Sequence, residues 1–148
     1  MKTPKLLFFI ISLVFANKSM SQNIASHQWE HRVLLILTDN KDDVTIQNQI
    51  KELQTQKSGL AGRKLIIYQV KKQQYKNGLK PGDWKKSTKL YKTYKSNNAA
   101  FEVILIGLDG GIKLRQNHLL SCEELFKTID VMPMRKAELK RKRDAFKN

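Results

Sequence analysis

The chain has 148 residues, of which 28 are lysine or arginine and 13 are aspartate or glutamate, so its formal net charge is +15 at pH 7. Its single cysteine, Cys122, excludes an intrachain disulfide framework and a zinc site built on several cysteines. The charge favours acidic partners through long-range attraction, although a high net charge also serves solubility alone.

The first 21 residues have the pattern of a cleavable signal peptide. Lys2 and Lys5 make a positive start, and the apolar run over residues 6–16 is shorter than the roughly 20 residues of a transmembrane helix. Serines stand at positions −3 and −1 of a cut between Ser21 and Gln22. The sequence near that cut has no cysteine, which argues against a lipid anchor. We therefore expect a secreted or periplasmic protein.

The remaining chain is expected to hold one domain, residues 22–135, followed by a basic tail, residues 136–148. Three lysines leave with the signal peptide, which lowers the net charge from +15 to +12. No second apolar run approaches membrane length, so we expect the cleaved protein to be soluble.

The first half predicts a β-α-β unit. The continuous apolar run of residues 32–38 is typical of a strand buried on both faces. Apolar residues then recur at helical spacing to about Gln56, with Asp42 or Asp43 as the expected cap and Gly59 and Gly62 as the expected end. Residues 63–70 predict a second strand, so the crossover should be right-handed and parallel.

Residues 71–98 have a different character, with nine lysines against one aspartate. Pro81 and Gly82 mark a turn, and Ser87 is the expected cap of a helix that carries Leu90, Tyr91 and Tyr94 on one side. This segment is therefore expected to be a helical insert.

The last part predicts a β-hairpin and a helix. Residues 101–107 form the third expected strand, Asp109, Gly110 and Gly111 form a turn, and residues 112–115 alternate apolar and basic side chains like an edge strand. Ser121 and Glu124 have the spacing of a capping box for a helix. The segment Met132-Pro133-Met134-Arg135 is expected to stop it.

This order of elements resembles the thioredoxin fold, an α/β fold with a central four-stranded mixed sheet. Residues 101–138 carry FEVILIGLDGGIKLR and then EELFKTIDVMPMRKAE. These motifs, with Trp29, Arg32 and the Gly59-Leu60-x-x-Arg63 segment, are similar to the DUF4174 family of exported thioredoxin-like domains. The resemblance also implies a relation to domains of coiled-coil-domain-containing protein 80 and sushi-repeat-containing proteins. It implies no established activity.

The chain departs from working thioredoxins at their reactive site. The turn after the first strand reads Thr38-Asp39-Asn40-Lys41-Asp42, without the cysteine pair that the resemblance would place there. The usual proline before the third strand is also missing from residues 96–100. Dithiol exchange needs an attacking and a resolving thiol, so a single chain is not expected to catalyse it.

Several residues suggest a site, and each has a simpler structural explanation. Cys122 is the candidate for thiol catalysis because a helix N-terminus can lower a thiol pKa, but a free cysteine more often packs as a small apolar residue. The acidic group Asp39, Asp42 and Asp43 suits capping better than cation binding. His27 and His31 are expected in a solvated segment, far from His118. We expect no metal and no cofactor.

The lysine-rich segment gives the strongest hint of a partner. Its aromatic residues, including Trp84, can stack on a ligand or face the core. The candidate anion-binding residues are Lys71, Lys72, Lys85, Lys86, Lys89, Lys92 and Arg135. The sequence thus favours an exported non-catalytic binding or adaptor domain for an anionic polysaccharide, lipid headgroup or protein, rather than for a nucleic acid. The alternative is a thiol peroxidase or reductase that uses Cys122.

Overall fold

The computed structural model describes residues 24–40 and 44–147. The expected signal peptide, its cut before Gln22, and the expected caps Asp42 and Asp43 lie outside these described residues. Within the described ranges, the longest and most apolar helices still fall short of what a membrane crossing requires.

The described residues form a mixed α/β structure with six strands and five α-helices, after a 3-10 helix at Ile24–His27. In chain order the elements are β1 (Arg32–Thr38), α1 (Val44–Gln54), α2 (Lys57–Gly62), β2 (Leu65–Lys71), β3 (Gln74–Asn77), β4 (Lys85–Lys86), α3 (Lys89–Tyr94), β5 (Phe101–Ile106), β6 (Ile112–Gln116), α4 (Cys122–Asp130) and α5 (Pro133–Ala145).

All six strands lie in one mixed sheet with the order β4-β3-β2-β1-β5-β6. β1 pairs in parallel with β2, from Arg32 opposite Leu65 to Thr38 opposite Lys71, and pairs antiparallel with β5. β5 and β6 form an antiparallel hairpin, and β6 is an edge strand. The predicted β-α-β unit and hairpin are confirmed, but the sheet has six strands instead of the predicted four.

The two additional strands come from the segment that the sequence predicts to be a helical insert. Two residues join β2 to β3 in an antiparallel pair, and β3 pairs with the short β4 before α3 begins. The strand pattern of β3 is not apparent from the sequence, because one of its buried positions is occupied by a lysine. Lys76 is only 7% exposed and donates a hydrogen bond from Nζ to the carbonyl oxygen of Lys80 at 2.9 Å. Tyr75, beside it, packs in the core. The predicted helix with Leu90, Tyr91 and Tyr94 is present as α3, but the description of the segment as a helical insert is incomplete because β3 and β4 precede that helix.

Two helix boundaries differ from the sequence-based predictions. Thr88, not Ser87, is the N-cap residue of α3, although the Ser87 hydroxyl accepts a hydrogen bond from the Lys89 amide at 3.2 Å. α1 ends at Gln54, and Gly59 lies inside a second short helix instead of terminating the first. Short helices of this kind are set by packing more than by propensity.

The sheet has a hydrophobic cluster on each face because successive side chains of a strand point to opposite sides. Leu34 and Ile36 pack with α1, α2 and α4, whereas Leu35 and Leu37 pack with the 3-10 helix and α3. All seven residues of β1 are buried. The prediction of a strand covered on both faces is confirmed. On the edge strand, however, Ile112 is 50% exposed, so its expected burial is wrong.

The C-terminal helices begin at clear sequence signals. The Ser121 hydroxyl accepts a hydrogen bond from the Glu124 amide at 3.1 Å, which confirms the predicted cap of α4. Pro133 does more than stop α4, because it is also the first residue of α5. The backbone N–H at that position of a helix has no intrahelical partner, so a proline there loses no hydrogen bond. The basic segment from residue 136 thus continues a helix that begins inside the Met-Pro-Met-Arg motif.

Candidate functional site

Three of the predicted anion-binding lysines meet at the carboxyl ends of two parallel strands. β1 and β2 end side by side at Thr38 and Lys71, an edge of an α/β sheet where ligands commonly bind. A cleft of about 440 Å³ opens there. We call it the lysine cleft, and its lining residues are Asp39, Asn40, Lys71, Lys72, Gln73, Gln74 and Lys86.

The lysine cleft is basic because three lysines face one carboxylate among its lining residues. That carboxylate, Asp39, already has partners. It accepts a hydrogen bond from the Tyr91 hydroxyl and lies 3.4 Å from Nζ of Lys95. Its hydrogen bond with Tyr91, together with burial, raises the pKa of that phenol to about 12. Among the described lining residues, the lysines Lys71, Lys72 and Lys86 thus outnumber the one carboxylate, Asp39.

An aromatic ring underlies one side of the lysine segment. Nζ of Lys71 lies 4.7 Å and Nζ of Lys76 lies 5.1 Å from the centroid of Trp84, both within cation–π range. Tyr75 is buried, and Tyr91 and Tyr94 pack against the same hydrophobic cluster. The aromatic rings of this segment therefore serve packing and lysine placement.

A buried carboxylate fixes the segment behind the cleft. Glu102 is 2% exposed and accepts hydrogen bonds from the amide of Ser96 at 2.7 Å, its hydroxyl at 2.8 Å and Nη1 of Arg115 at 2.9 Å. Burial alone would raise the pKa of Glu102, but these hydrogen bonds outweigh burial and lower it. Lys95 lies between Glu102 and Asp39, so the network reaches the wall of the lysine cleft.

The remaining predicted anion-binding residues lie elsewhere. Lys85 precedes Lys86 on β4, and Lys89 and Lys92 are exposed on α3, but none of the three lines the lysine cleft. Arg135 lies in α5 and donates to Asp130, to Glu138 and to the carbonyl oxygen of Gly62. The structure thus joins three of the seven candidates and separates Arg135 from them.

Arg135 belongs to a group that we call the arginine network, composed of Arg32, Arg63, Arg135, Asp130 and Glu138. Arg63 holds Asp130 with Nε at 3.0 Å and Nη2 at 2.5 Å, and Nη1 of Arg32 lies 3.3 Å from both Glu138 oxygens. Sequence reasoning missed this network. Two signals in the sequence could have indicated it: a charged residue, Arg32, at the start of an otherwise almost wholly apolar strand, and the presence of all five network residues in the family-like motifs.

The family-like motifs gather near the arginine network. The Asp109-Gly110-Gly111 motif makes the predicted turn, with Gly110 at φ +80° and an Asp109 oxygen accepting from the Gly111 amide at 3.1 Å. Asp109 also pairs with Lys113 at 2.6 Å. Of the two motif methionines, Met132 packs against the core, whereas Met134 is 38% exposed. The motifs thus mark the end of the sheet opposite the lysine cleft.

Cys122 has the properties of a structural thiol. It is 4% exposed, and its Sγ lies 3.5 Å from the carbonyl oxygen of Glu52. The Glu52 carboxylate accepts a hydrogen bond from the Cys122 amide at 2.8 Å, so a negative charge sits at the start of α4. Burial and this carboxylate raise the pKa of the thiol to about 11. The helix N-terminus therefore does not activate Cys122.

The histidines and acidic residues do not assemble a metal site in the described parts of the chain, where no three potential ligands cluster. His27 is half-buried and lies 2.8 Å from the Tyr68 hydroxyl, although most of the residues around it, 25–30, are exposed as expected. Burial, followed by the charge of His31, lowers the pKa of His27. Of the predicted acidic cluster, only Asp39 falls within the described residues.

Comparison with known proteins yields one match. The family model described as "Domain of unknown function (DUF4174)" matches residues 23–138, which is most of the chain. No curated protein and no solved structure matches the chain.

Proposed function

This chain belongs to the DUF4174 family, and on that premise we propose that it is an exported, thioredoxin-like binding domain that holds an anionic partner at the lysine cleft. The single observation that carries the proposal is the meeting of Lys71, Lys72 and Lys86 at the carboxyl ends of β1 and β2. Three ammonium groups around one cleft attract phosphate, sulfate or carboxylate groups.

The thioredoxin-like part of the proposal rests on strand order. Four adjacent strands run β2-β1-β5-β6, with β1 parallel to β2 and antiparallel to β5, and α1 lies in the connection between β1 and β2. This order and these directions match the thioredoxin core. β3 and β4 then extend the sheet beyond β2, and they supply one wall of the lysine cleft.

Binding without dithiol catalysis follows from the residues at the end of β1. Thioredoxins carry their reactive thiols there, whereas this chain has Asp39 and Asn40 and a hydrogen bond from Tyr91 to Asp39. The alternative, a thiol peroxidase or reductase at Cys122, finds little support in a buried thiol with a pKa of about 11, because the thiolate is the nucleophile.

Export is supported by the N-terminal sequence, with two lysines, an apolar run of eleven residues and small residues before Gln22. A protein outside the cytoplasm meets anionic polysaccharides, lipid headgroups and acidic proteins, all of which present the groups that lysines attract. N-terminal sequencing of protein recovered from the periplasm or medium tests this part. A mature chain that still begins at Met1 would contradict it.

The binding proposal is tested by elution from immobilised heparin in a sodium chloride gradient. We compare the triple variant Lys71→Gln, Lys72→Gln, Lys86→Gln with a control, Lys136→Gln, Lys140→Gln, Lys142→Gln, in which three exposed lysines of α5 are replaced. Both variants lose three positive charges, so nonspecific attraction changes equally. We expect the cleft variant to elute at clearly lower salt than the control.

Equal behaviour of the two variants both on heparin and with the vesicles described next would show that net charge alone drives binding, and it would overturn the proposal. The same pair is then tested by sedimentation with vesicles of phosphatidylcholine and phosphatidylglycerol. A cleft-dependent difference with vesicles but not with heparin assigns the anion to a headgroup, and the reverse result assigns it to a polysaccharide. Unchanged far-UV circular dichroism of both variants shows that the fold is retained.

A further inference from the structure

At the opposite end of β1 from the lysine cleft, Arg32 is buried with part of its guanidinium unused. Its side chain is 1% exposed. Nη1 donates to the carbonyl oxygen of Arg63 at 2.9 Å and to Glu138. Nε and Nη2 have no hydrogen-bond partner among residues 24–40 and 44–147. Buried charged donors without partners are rare, because burial removes the water that would otherwise satisfy them.

The unused edge is the one that binds oxyanions best. Nε and Nη2 of an arginine present two parallel N–H groups, which fit the two oxygens of a carboxylate. Holding Glu138 and the Arg63 carbonyl requires Nη1 alone. The contacts that hold Arg32 in place therefore do not use its two donors Nε and Nη2.

A cavity of about 280 Å³ adjoins Arg32. At roughly 30 Å³ for each small molecule the size of water, it holds on the order of nine non-hydrogen atoms. Its walls are largely apolar and come from the family-like motifs. The lining residues are Arg32, Gly107, Leu108, Asp109, Lys113, Met132, Pro133 and Met134.

The charges around this cavity suit a single negative charge. The arginine network contains three arginines and two carboxylates, which leaves one positive charge. Asp109 and Lys113, the other charged lining residues, pair with each other at 2.6 Å and cancel. A monocarboxylate balances the excess, whereas a phosphate with nearly two charges overcompensates it.

A flexible methionine lines the same cavity as Arg32. Met134 is 38% exposed, and its side chain has three rotatable bonds. Because Nε and Nη2 of Arg32 are buried, a ligand reaches them only if the cavity lining moves, and an exposed, flexible side chain of this kind can move without displacing the strand. The thioether and Leu108 then pack along an apolar ligand body.

We propose that this cavity binds a small aliphatic monocarboxylate, whose oxygens accept hydrogen bonds from Nε and Nη2 of Arg32 and whose hydrocarbon part packs against Leu108, Met132 and Met134. The ligand is either a free acid or the C-terminal carboxylate of a peptide with an apolar last residue. The site is independent of the lysine cleft, so either proposal can fail alone.

The test follows the Nε–H resonance of Arg32 by ¹H–¹⁵N NMR of the purified protein. The probes are acetate, butyrate and hexanoate, with 1-butanol and chloride as controls at matched concentration. We expect a saturable downfield shift of this resonance with the carboxylates, with affinity rising from acetate to hexanoate. Absence of a shift up to 50 mM hexanoate (roughly the weakest affinity that a specific site of this kind would have), or an equal shift with chloride, would overturn the proposal.

Two variants test the residues. Arg32→Lys keeps the charge but removes the donor fork, and we expect it to abolish hexanoate binding, measured by shifts of the Met134 methyl group. Because Arg32 also holds Glu138 and the Arg63 carbonyl oxygen, a second test uses Met134→Ala, with Leu139→Ala as its control on the same exposed helix. We expect Met134→Ala alone to weaken hexanoate at least threefold and leave acetate unchanged. Equal effects of the two alanine variants would contradict the proposed contact.

A pair of peptides identifies the source of the carboxylate. A tripeptide ending in leucine is compared with its C-terminal amide in the same NMR titration. If the free-acid tripeptide but not the amide shifts the resonance, and if that tripeptide binds more tightly than hexanoate, the site is assigned to peptide C-termini. Weaker binding than hexanoate assigns it to free acids, and an equal response to acid and amide would exclude recognition by Arg32.

Discussion

The side chain of Gln49 makes a pair of hydrogen bonds with the backbone of Leu120. Nε2 of Gln49 donates to the Leu120 carbonyl oxygen at 2.8 Å, and Oε1 accepts from the Leu120 amide at 2.8 Å. Both residues are fully buried. Because 71 residues separate them, this contact fastens α1 to the segment that leads into α4.

Replacing Gln49 with alanine should therefore be costly. Gln49→Ala leaves two buried backbone groups without partners, and we expect it to lower the free energy of unfolding by about 3 kcal/mol. The control is Gln47→Ala, an exposed position on the same helix, with an expected change within about 0.5 kcal/mol. Urea unfolding followed by circular dichroism measures both values. Similar losses in the two variants would contradict the assigned role of Gln49.

Two glycines of α2 should respond in opposite ways to alanine. A Cβ at Gly59 would lie 2.7 Å from the ring of Phe126, whereas a Cβ at Gly62 meets nothing within 4 Å. Cζ of Arg63 lies 3.9 Å from the centre of that ring, so the ring has little room to move. We expect Gly59→Ala to destabilise the protein by about 1–3 kcal/mol.

The matched variant, Gly62→Ala, should be neutral or stabilise the protein by up to about 1 kcal/mol, since alanine loses less backbone entropy on folding. Thermal unfolding of both variants gives the comparison. A higher melting temperature for Gly59→Ala than for Gly62→Ala would disprove the predicted clash.

The Cys122 thiol should react slowly in the folded protein. Its pKa of about 11 lies two units above the ordinary value of 9.0, so at pH 8 the thiolate fraction is about 100-fold lower than that of a free thiol. We expect alkylation by iodoacetamide to be at least 100-fold slower than in urea-unfolded protein, as followed by mass spectrometry. A rate equal to or above that of the unfolded chain would revive the thiol-enzyme alternative.

Glu102 should make stability depend on acidity. Its pKa is lower in the folded protein than its ordinary value of 4.5. Its stabilisation is therefore fully present above pH 4.5 and is lost as the pH falls through the folded pKa. We expect Glu102→Gln to be less stable at pH 7 by about 2 kcal/mol, because hydrogen bonds to a charged acceptor are weakened.

The same variant should lose less stability than the wild type between pH 5 and pH 3. The Glu123→Gln variant, at an exposed position, controls for the loss of one carboxylate. Urea unfolding at each pH provides the measurement. A steeper acid loss in Glu102→Gln than in the wild type would contradict the direction of the pKa shift.

Much of the secondary structure follows from local patterns in the sequence. β1 is recognisable because its apolar run can only be covered on both faces, and the turn at Gly110 because its positive φ suits glycine. β3 was missed because Lys76 is a charged residue at a buried position. Its burial depends on Trp84 and on the carbonyl oxygen of Lys80, contacts that no local pattern reveals.

The candidate sites also combine features that are visible in the sequence with features that only tertiary contacts decide. The lysine content of residues 71–98 is plain in the sequence, but Lys72 and Lys86 meet only because β3 folds back on β2 and β4 pairs with β3. Cys122 shows the opposite case. Its position at a helix start predicts a lowered pKa, but the pKa is raised because the thiol is buried and because Glu52 of α1 lies against it.

The sequence by itself determined the net charge, the order of elements around β1 and the lack of a cysteine pair after Thr38, because these depend on composition and on short-range periodicity. Only the tertiary structure decided which lysines share a cleft and that Arg32 is buried against Glu138 with two donors unused. Those properties depend on side chains far apart in the chain, and burial, not residue type, sets the strength of their interactions.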